Sequence, residues 1–265
     1  MNNRIKNVFL TKKKKLITFI TAGDPNLNYS KKILDNLPKY GVDIMEIGMP
    51  FSDPMADGPT IQLASARAIK KKVNLNKVFD LCKYVRKTNK KTPIILMGYY
   101  NPILHFGNSK FINECKKSGV DGLIIVDLQP ENDKNLFELA QRNKIDFIRL
   151  ITPTTTTKRL NEILLNASGF LYYVSITGVT GAKLKDFKNV EQSIKQIKKK
   201  TKLPIVVGFG IKTKEQVKKI FRFADGVVIG SSIVEIIEKK VNNNSKIKNI
   251  LLGIKKFLNE IRNKK

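Results

Sequence analysis

Glu46 is the first residue whose setting implies chemistry. It lies in an apolar run between Met45 and Ile47. If residues 44–48 form a strand, alternation turns Glu46 to the opposite face from those neighbours. A lone carboxyl in an apolar interior has its pKa raised by desolvation. That suits a general acid or base near neutral pH. A core glutamate paired with a lysine is the alternative, but acids are rare in cores unless paired, so the functional reading is favoured. Asp53 and Asp57 follow on a loop that holds Pro50, Pro54 and Pro59 as well as Gly48 and Gly58. The prolines stiffen it and the glycines offer hinges, as in a lid that carries an acid. Asp57, just before Gly58-Pro59, reads equally as a helix cap, and Asp53 as a turn former.

A second constellation lies towards the end of the chain. Ser175-Ile-Thr-Gly-Val-Thr-Gly-Ala-Lys183, Gly208-Phe-Gly-Ile211 and Gly230-Ser-Ser232 each follow an apolar run. Glycine amides beside a helix N-terminus form an anion site. Each glycine pair alone also fits an ordinary turn. Phe19, Met97, Tyr99, Tyr100, Tyr172 and Phe209 stand near run ends and would line an apolar pocket, although core packing explains any one of them. Other chemistries lack their residues. His105 is the only histidine and reads as an ordinary loop residue rather than part of a Ser-His-Asp arrangement. No CxxC, HExxH or DxDxDG spacing is present, so no metal site is expected. Ala22-Gly-Asp-Pro25 is a turn, not a GxGxxG dinucleotide loop.

The elements that must position these groups alternate regularly. Short apolar runs at 16–22, 44–48, 94–97, 122–126, 147–151, 170–174, 205–208 and 226–229 read as strands. Amphipathic stretches read as helices at 29–40, 60–72, 76–89, 108–118, 132–143, 157–166, 190–200, 214–223, 232–240 and 245–263. The strands are continuously apolar, as in a parallel sheet buried on both faces. Eight strand–helix units in 265 residues predict an α/β fold of the TIM (β/α)8 barrel type, with a doubly wound open sheet as the alternative. No Gly/Ser/Pro-rich linker interrupts the series. Residues 1–265 therefore read as a single domain with a short N-terminal extension over about 1–15. In a barrel the chemistry sits on the loops that follow the strands, where both constellations fall.

Composition sets bounds. The 50 basic and 22 acidic residues give a net charge of +28, while 42% of residues are hydrophobic. That apolar share argues against a disordered polycation. No apolar run reaches the roughly 20 residues of a membrane span, and the N-terminus lacks the apolar stretch and cleavage site of a signal peptide. The lysines are dispersed in short clusters at 12–15, 70–72, 90–91, 198–200, 239–240 and 264–265. They read as solvated or helix-end residues and, given the abundance of Asn and Ile, as compositional drift rather than a nucleic-acid footprint. No nucleic-acid or membrane partner is expected. Cys82 and Cys115 read as small buried hydrophobes in a reducing compartment.

Glu46-Ile-Gly-Met-Pro-Phe-Ser-Asp-Pro-Met-Ala-Asp-Gly-Pro-Thr60 resembles the signature of the tryptophan synthase alpha chain family. The resemblance continues through Phe19-Ile-Thr-Ala-Gly-Asp-Pro25, Met97-Gly-Tyr-Tyr-Asn-Pro102, Gly122-Leu-Ile-Ile-Val-Asp127, Thr177-Gly-Val-Thr-Gly181, Gly208-Phe-Gly210 and Gly230-Ser231. It implies a TIM barrel that cleaves indole-3-glycerol phosphate to indole and glyceraldehyde 3-phosphate, a retro-aldol lyase step of tryptophan biosynthesis. Glu46 would shuttle the proton. Asp57 would hold the indole N–H and stabilise the positive charge that develops on the ring. Phe19, Met97, Ile124, Leu150, Tyr172 and Phe209 resemble the indole pocket, and Gly181, Gly210, Gly230 and Ser231 the phosphate grip. Thr180 matches a loop threonine that closes against Asp57. The family further implies an α2β2 complex with a beta chain that faces the second loop and the Asn101-Pro102 region. Pyridoxal phosphate is expected only in that beta chain, with no cofactor here. The expected location is cytoplasmic, or the plastid stroma for an organelle-encoded chain.

Overall fold

The computed structural model describes residues 3–175, 187–208, 210–243 and 245–262. Nine parallel strands run in the order β5-β4-β3-β2-β1-β9-β8-β7-β6. They are β1 (Lys15–Thr21), β2 (Ile44–Gly48), β3 (Ile94–Gly98), β4 (Gly122–Ile125), β5 (Asp146–Phe147), β6 (Arg149–Ile151), β7 (Leu171–Val174), β8 (Ile205–Gly208) and β9 (Gly226–Ile229). The strand expected over 147–151 arrives as two pieces, β5 and β6. Its ladder partner changes there: β5 pairs with β4, and β6 with β7. The Ile148 amide between them still donates to the Leu123 carbonyl at 2.9 Å. The ring of strands is thereby nearly closed, which is the TIM barrel and not the open sheet.

Strand parity sorts the core into two layers. Ile17, Phe19, Ile44, Ile95, Met97, Ile124, Tyr172, Val206 and Val228 fill the barrel interior. Leu16, Ile20, Met45, Ile47, Leu96, Leu123 and Val207 face the surrounding helices. Glu46 takes the interior parity, level with Phe19 on β1 and Ile95 on β3. A one-residue slip would move it to the helix side, so register decides its role.

The helices are α1 (Arg4–Phe9), α2 (Leu27–Asn36), α3 (Pro59–Lys70), α4 (Leu75–Thr88), α5 (Tyr100–Phe106), α6 (Asn108–Ser118), α7 (Lys134–Arg142), α8 (Thr157–Leu165), α9 (Phe187–Lys198), α10 (Lys214–Ile220), α11 (Ser231–Asn242) and α12 (Ile247–Arg262). None among the described residues is long and apolar enough to cross a membrane. Several depart from expectation. The stretch 29–40 divides into α2 and a 3-10 turn, Pro38–Tyr40, because Pro38 cannot continue the ladder. His105 sits on α5, not in a loop. Pro102 lies in the first turn of that helix, where a missing N–H costs nothing. Within the expected N-terminal extension, α1 plugs the barrel floor. Ile5 is buried in the interior cluster, and the Phe9 ring lies 5.7 Å from that of Phe170. Cys82 and Cys115 are free and buried.

The floor is also held by charge. Asp121, just before β4, accepts hydrogen bonds from Arg4 at 2.7 Å, Arg86 at 2.5 Å and the Ile94 amide at 2.8 Å. Arg86 and Asp121 are both buried, and breaking such a pair by removing one partner costs about 3–5 kcal/mol. Asp121→Ala is therefore expected to lower the melting temperature by many degrees. Turnover of the folded fraction should be unchanged, because functional groups of this fold lie at the other end. Differential scanning calorimetry beside a steady-state assay checks both halves.

Candidate active site

A cavity opens at the C-terminal ends of the strands. Phe19 of β1, Glu46 of β2, Met97 of β3, Tyr172 of β7 and Val228 of β9 form its inner wall. Asp57 and Ile61 close one side, and Gly210, Ile211, Gly230 and Ser231 the other. With its open mouth it encloses about 490 Å³, within the range of small-molecule sites. Gly48 makes room for it: a Cβ there would run into the Phe19 ring.

Glu46 is 1% exposed. Neither carboxyl oxygen has a hydrogen-bond partner among the described residues. The lysine-paired core glutamate is thus not what the barrel holds. Burial, and then the charge of nearby Asp57, push the Glu46 carboxyl up to about 8. It is mostly protonated at pH 7 and can donate.

Asp57 reaches the same cavity from the β2–α3 loop. It is not a helix cap. Gly58 occupies the N-cap position of α3, and its N-cap makes no side-chain capping bond among the described residues. The Asp57 carboxylate instead accepts from the Tyr99 hydroxyl at 3.2 Å, which itself accepts from the Ala56 amide at 3.1 Å. Burial raises Asp57 to about 6 against the opposing effect of that hydrogen bond. At pH 7 Asp57 is therefore mostly ionised while Glu46 is not. Burial and Asp57 also hold the Tyr99 phenol above its usual range, so it stays a donor. Tyr172 is raised by burial and then by both carboxyls, whose field it shares. Asp53 does not line the cavity; it accepts from its neighbour Ser52 on the exposed rim.

Tyr99→Phe removes the donor that opposes the rise of Asp57. For a reaction that needs Asp57 ionised, the acid limb of the pH–rate profile should move to higher pH. The rate at pH 6.5 should fall roughly 3- to 10-fold, the scale of one hydrogen bond to a charged group. An unmoved acid limb would count against this role for Tyr99.

The opposite side of the cavity is suited to an anion. Among the described residues no side chain caps the N-terminus of α11, whose flanking residue is Gly230 and whose first residue is Ser231. The buried Ser232 hydroxyl has no partner among the described residues. Gly210 adopts φ +73°, a conformation that favours glycine, and brings the chain after β8 to the same wall. First-turn amides with a helix dipole behind them attract a phosphate.

Of the residues expected from sequence, Glu46, Asp57, Phe19, Met97, Tyr172, Gly210, Gly230 and Ser231 meet at this cavity. Ile124 and Leu150 do not line it. Ile124 is fully buried in the interior cluster, level with Met97, and Leu150 packs against that cluster, level with Tyr172. Thr180, Gly181 and Phe209 lie outside the described residues. Sequence reasoning missed Ile61, Ile211 and Val228 as lining residues and the role of Tyr99 towards Asp57. Strand parity could have found Val228, which is level with interior Ile17; a hydrogen bond between loops 42 residues apart in sequence leaves no such trace. Among the described residues no group of three or more His, Cys, Asp and Glu side chains is placed to hold a metal ion.

The chain as a whole is similar to known proteins of one family. The family model described as tryptophan synthase alpha chain matches residues 5–261. The crystal structure of tryptophan synthase subunit alpha from Legionella pneumophila is 35% identical, with a TM-score of 0.91 over 99% of this chain and 98% of that one. A structure of the tryptophan synthase a2b2 complex from Pyrococcus furiosus is 37% identical, with a TM-score of 0.85 over 94% of this chain and 98% of that one. A Mycobacterium tuberculosis tryptophan synthase structure is 26% identical at a TM-score of 0.84, covering 97% of each chain.

Proposed function

The chain belongs to the tryptophan synthase alpha chain family, and from that premise we propose how its cavity cleaves indole-3-glycerol phosphate to indole and glyceraldehyde 3-phosphate. Glu46 enters protonated and delivers its proton to indole C3. The ring then carries positive charge, and Asp57, ionised and bonded to the ring N–H, stabilises it. The Glu46 carboxylate next takes the proton of the glycerol hydroxyl next to the ring. That hydroxyl becomes the aldehyde as the carbon–carbon bond breaks, and its electron pair restores the aromatic ring. Glu46 ends the cycle protonated, as it began. Phe19, Met97 and Tyr172 hold the ring, with Phe209 expected to join them and Ile124 and Leu150 level with Met97 and Tyr172 on the neighbouring strands. Gly210, Gly230 and Ser231, with Gly181 expected beside them, hold the phosphate, and Thr180 is expected to close over Asp57.

The observation that carries this reading is the separation of two carboxyls in one apolar cavity. One is pushed to about 8 and the other to about 6, and a pair driven apart by its surroundings divides into acid and anion. The steps are proton transfers and need no cofactor in this chain; pyridoxal phosphate belongs to the partner. That partner is a beta chain in an α2β2 complex. Exposed Met55 on the β2–α3 loop and Leu104 on α5 offer it apolar contact next to Asn101-Pro102. The location is cytoplasmic, or the plastid stroma for an organelle-encoded chain.

A panel of substrates tests the chemistry. Indole-3-glycerol phosphate should be cleaved, while aldose and ketose phosphates without the indole ring should not be turned over. Isomerisation or decarboxylation of such sugar phosphates, with no indole release, would make this another phosphate-binding barrel.

A further inference from the structure

Arg67 lies in the third turn of α3 and does not line the cavity. It nonetheless joins three elements that do. Its Nε and one terminal nitrogen fork onto both oxygens of Asp24 at 2.7 and 2.9 Å, and its other terminal nitrogen bonds to Glu238 at 2.8 Å. Asp24 is buried in the turn after β1, and Glu238 lies two turns into α11. α3 packs against both β1 and α11. Each of these elements delivers part of the cavity: β1 brings Phe19, the start of α3 follows Asp57 and brings Ile61, and α11 opens at Gly230 and Ser231.

We propose that Arg67 is a positioning residue that fixes the spacing between the Asp57 end and the Ser231 end of the cavity. The inference rests on the proposed reaction, in which a single substrate is held at its ring nitrogen by Asp57 and at its phosphate by α11. A planar guanidinium bonded at three points sets the angle and distance between its partners, which a lysine ammonium cannot do. The spacing matters only to a ligand that touches both ends. Misplacement by about 1 Å can cost as much as 100-fold in rate, whereas a ligand held at one end follows that end as it moves.

Arg67→Lys keeps the charge and removes the fork. The test compares ligands by calorimetry: an indole-3-alkyl phosphate without the hydroxyls needed for cleavage, and glycerol 3-phosphate and indole alone. The two-ended ligand should weaken about tenfold or more, and the one-ended ligands by less than about twofold. kcat/KM for indole-3-glycerol phosphate should fall at least in step with the two-ended ligand. Equal losses for all three ligands, or none, would overturn the proposal, since a generally loosened fold spares no ligand class. Should Arg67→Lys not fold, Glu238→Gln leaves the Asp24 fork intact and should show the same selectivity at roughly threefold or more. If the wild-type chain binds glycerol 3-phosphate but not the two-ended ligand, the lyase reading itself falls, a result distinct from failure of the Arg67 variants.

Discussion

Glu46→Gln is expected to fold, to bind substrate and to release indole at roughly 10³-fold below the wild-type rate, within the range that a positioned acid–base group supplies. Glutamine matches the shape of the protonated acid but has no proton to give to indole C3 and takes none from the hydroxyl. The same variant should be more stable than the wild type at neutral pH. A buried carboxyl raised from 4.5 to about 8 favours folding in its protonated form. Its cost is absent below the unfolded pKa, grows as pH rises from there, and levels off above the folded pKa. At pH 7 that cost is on the order of 3 kcal/mol, and glutamine escapes it. The melting temperature of Glu46→Gln should therefore exceed that of the wild type by several degrees at pH 7.5 and match it near pH 4.5. Undiminished turnover would remove Glu46 from the chemistry. A stability difference that does not depend on pH would remove the buried-acid account of it.

Asp57→Asn should lower kcat by roughly 10²- to 10³-fold, the cost of removing one electrostatic stabiliser of transition-state charge, with KM little changed. The amide oxygen still accepts the ring N–H, so ground-state binding survives. What is lost is the negative charge facing the protonated ring, and that charge is felt only as the transition state forms. A second consequence follows from the coupling of the two acids. Asp57 helps to raise Glu46, so in Asp57→Asn the basic limb of the pH profile should move to lower pH. The wild type should be most active between the two carboxyl values, losing rate below about 6 as Asp57 gains a proton and above about 8 as Glu46 loses one. An effect of Asp57→Asn confined to KM would contradict the assignment.

These groups were legible in sequence to different depths. Glu46 stood out because an acid in a continuously apolar strand has few structural reasons to be there, and strand parity then gave its direction. The anion side was legible as glycine and serine at three successive strand ends, two of which the described residues bring to the cavity. Asp57 was ambiguous, because Asp-Gly-Pro before a helix fits a cap as well as a lid. The Tyr99 hydroxyl that settles the matter lies 42 residues away, and local patterning carries no sign of that contact. Ile124 and Leu150 show the opposite case: expected at the pocket, they do not line the cavity. Their parity is interior and their register matches that of the lining residues Met97 and Tyr172, but parity does not say which side of the barrel the cavity occupies, and no residue of β4, β5 or β6 lines it. The Arg67 fork escaped notice for the same reason as Tyr99: residues 24, 67 and 238 meet only after the barrel has closed.

Part of the positive charge gathers at the barrel floor. Lys12, Lys13, Lys14 and Lys15, with Lys198 and Lys202, gather around a groove at the N-terminal ends of β1, β8 and β9. Lys14, Lys15 and Lys198 there bond to the Ala224 carbonyl, Thr11 and Asp225 respectively. This cluster lies at the barrel end opposite the mouth, so its field contributes little to drawing in substrate at physiological ionic strength. Asp24, Asp53, Asp57 and Asp127 lie instead on loops that follow strands, and Asp57 among them lines the cavity. In the proposed reaction the anion is held by backbone at α11, and the catalytic groups are two acids.

The product balance of the wild-type chain tests the proposed cleavage most directly. Indole-3-glycerol phosphate would be supplied with the beta chain present and serine absent, and indole and glyceraldehyde 3-phosphate measured together. The two products should appear in equal amounts, at a rate that is highest between about pH 6 and pH 8. Failure to form indole under those conditions, or indole without an equivalent of the aldehyde, would contradict the retro-aldol cleavage assigned to Glu46 and Asp57.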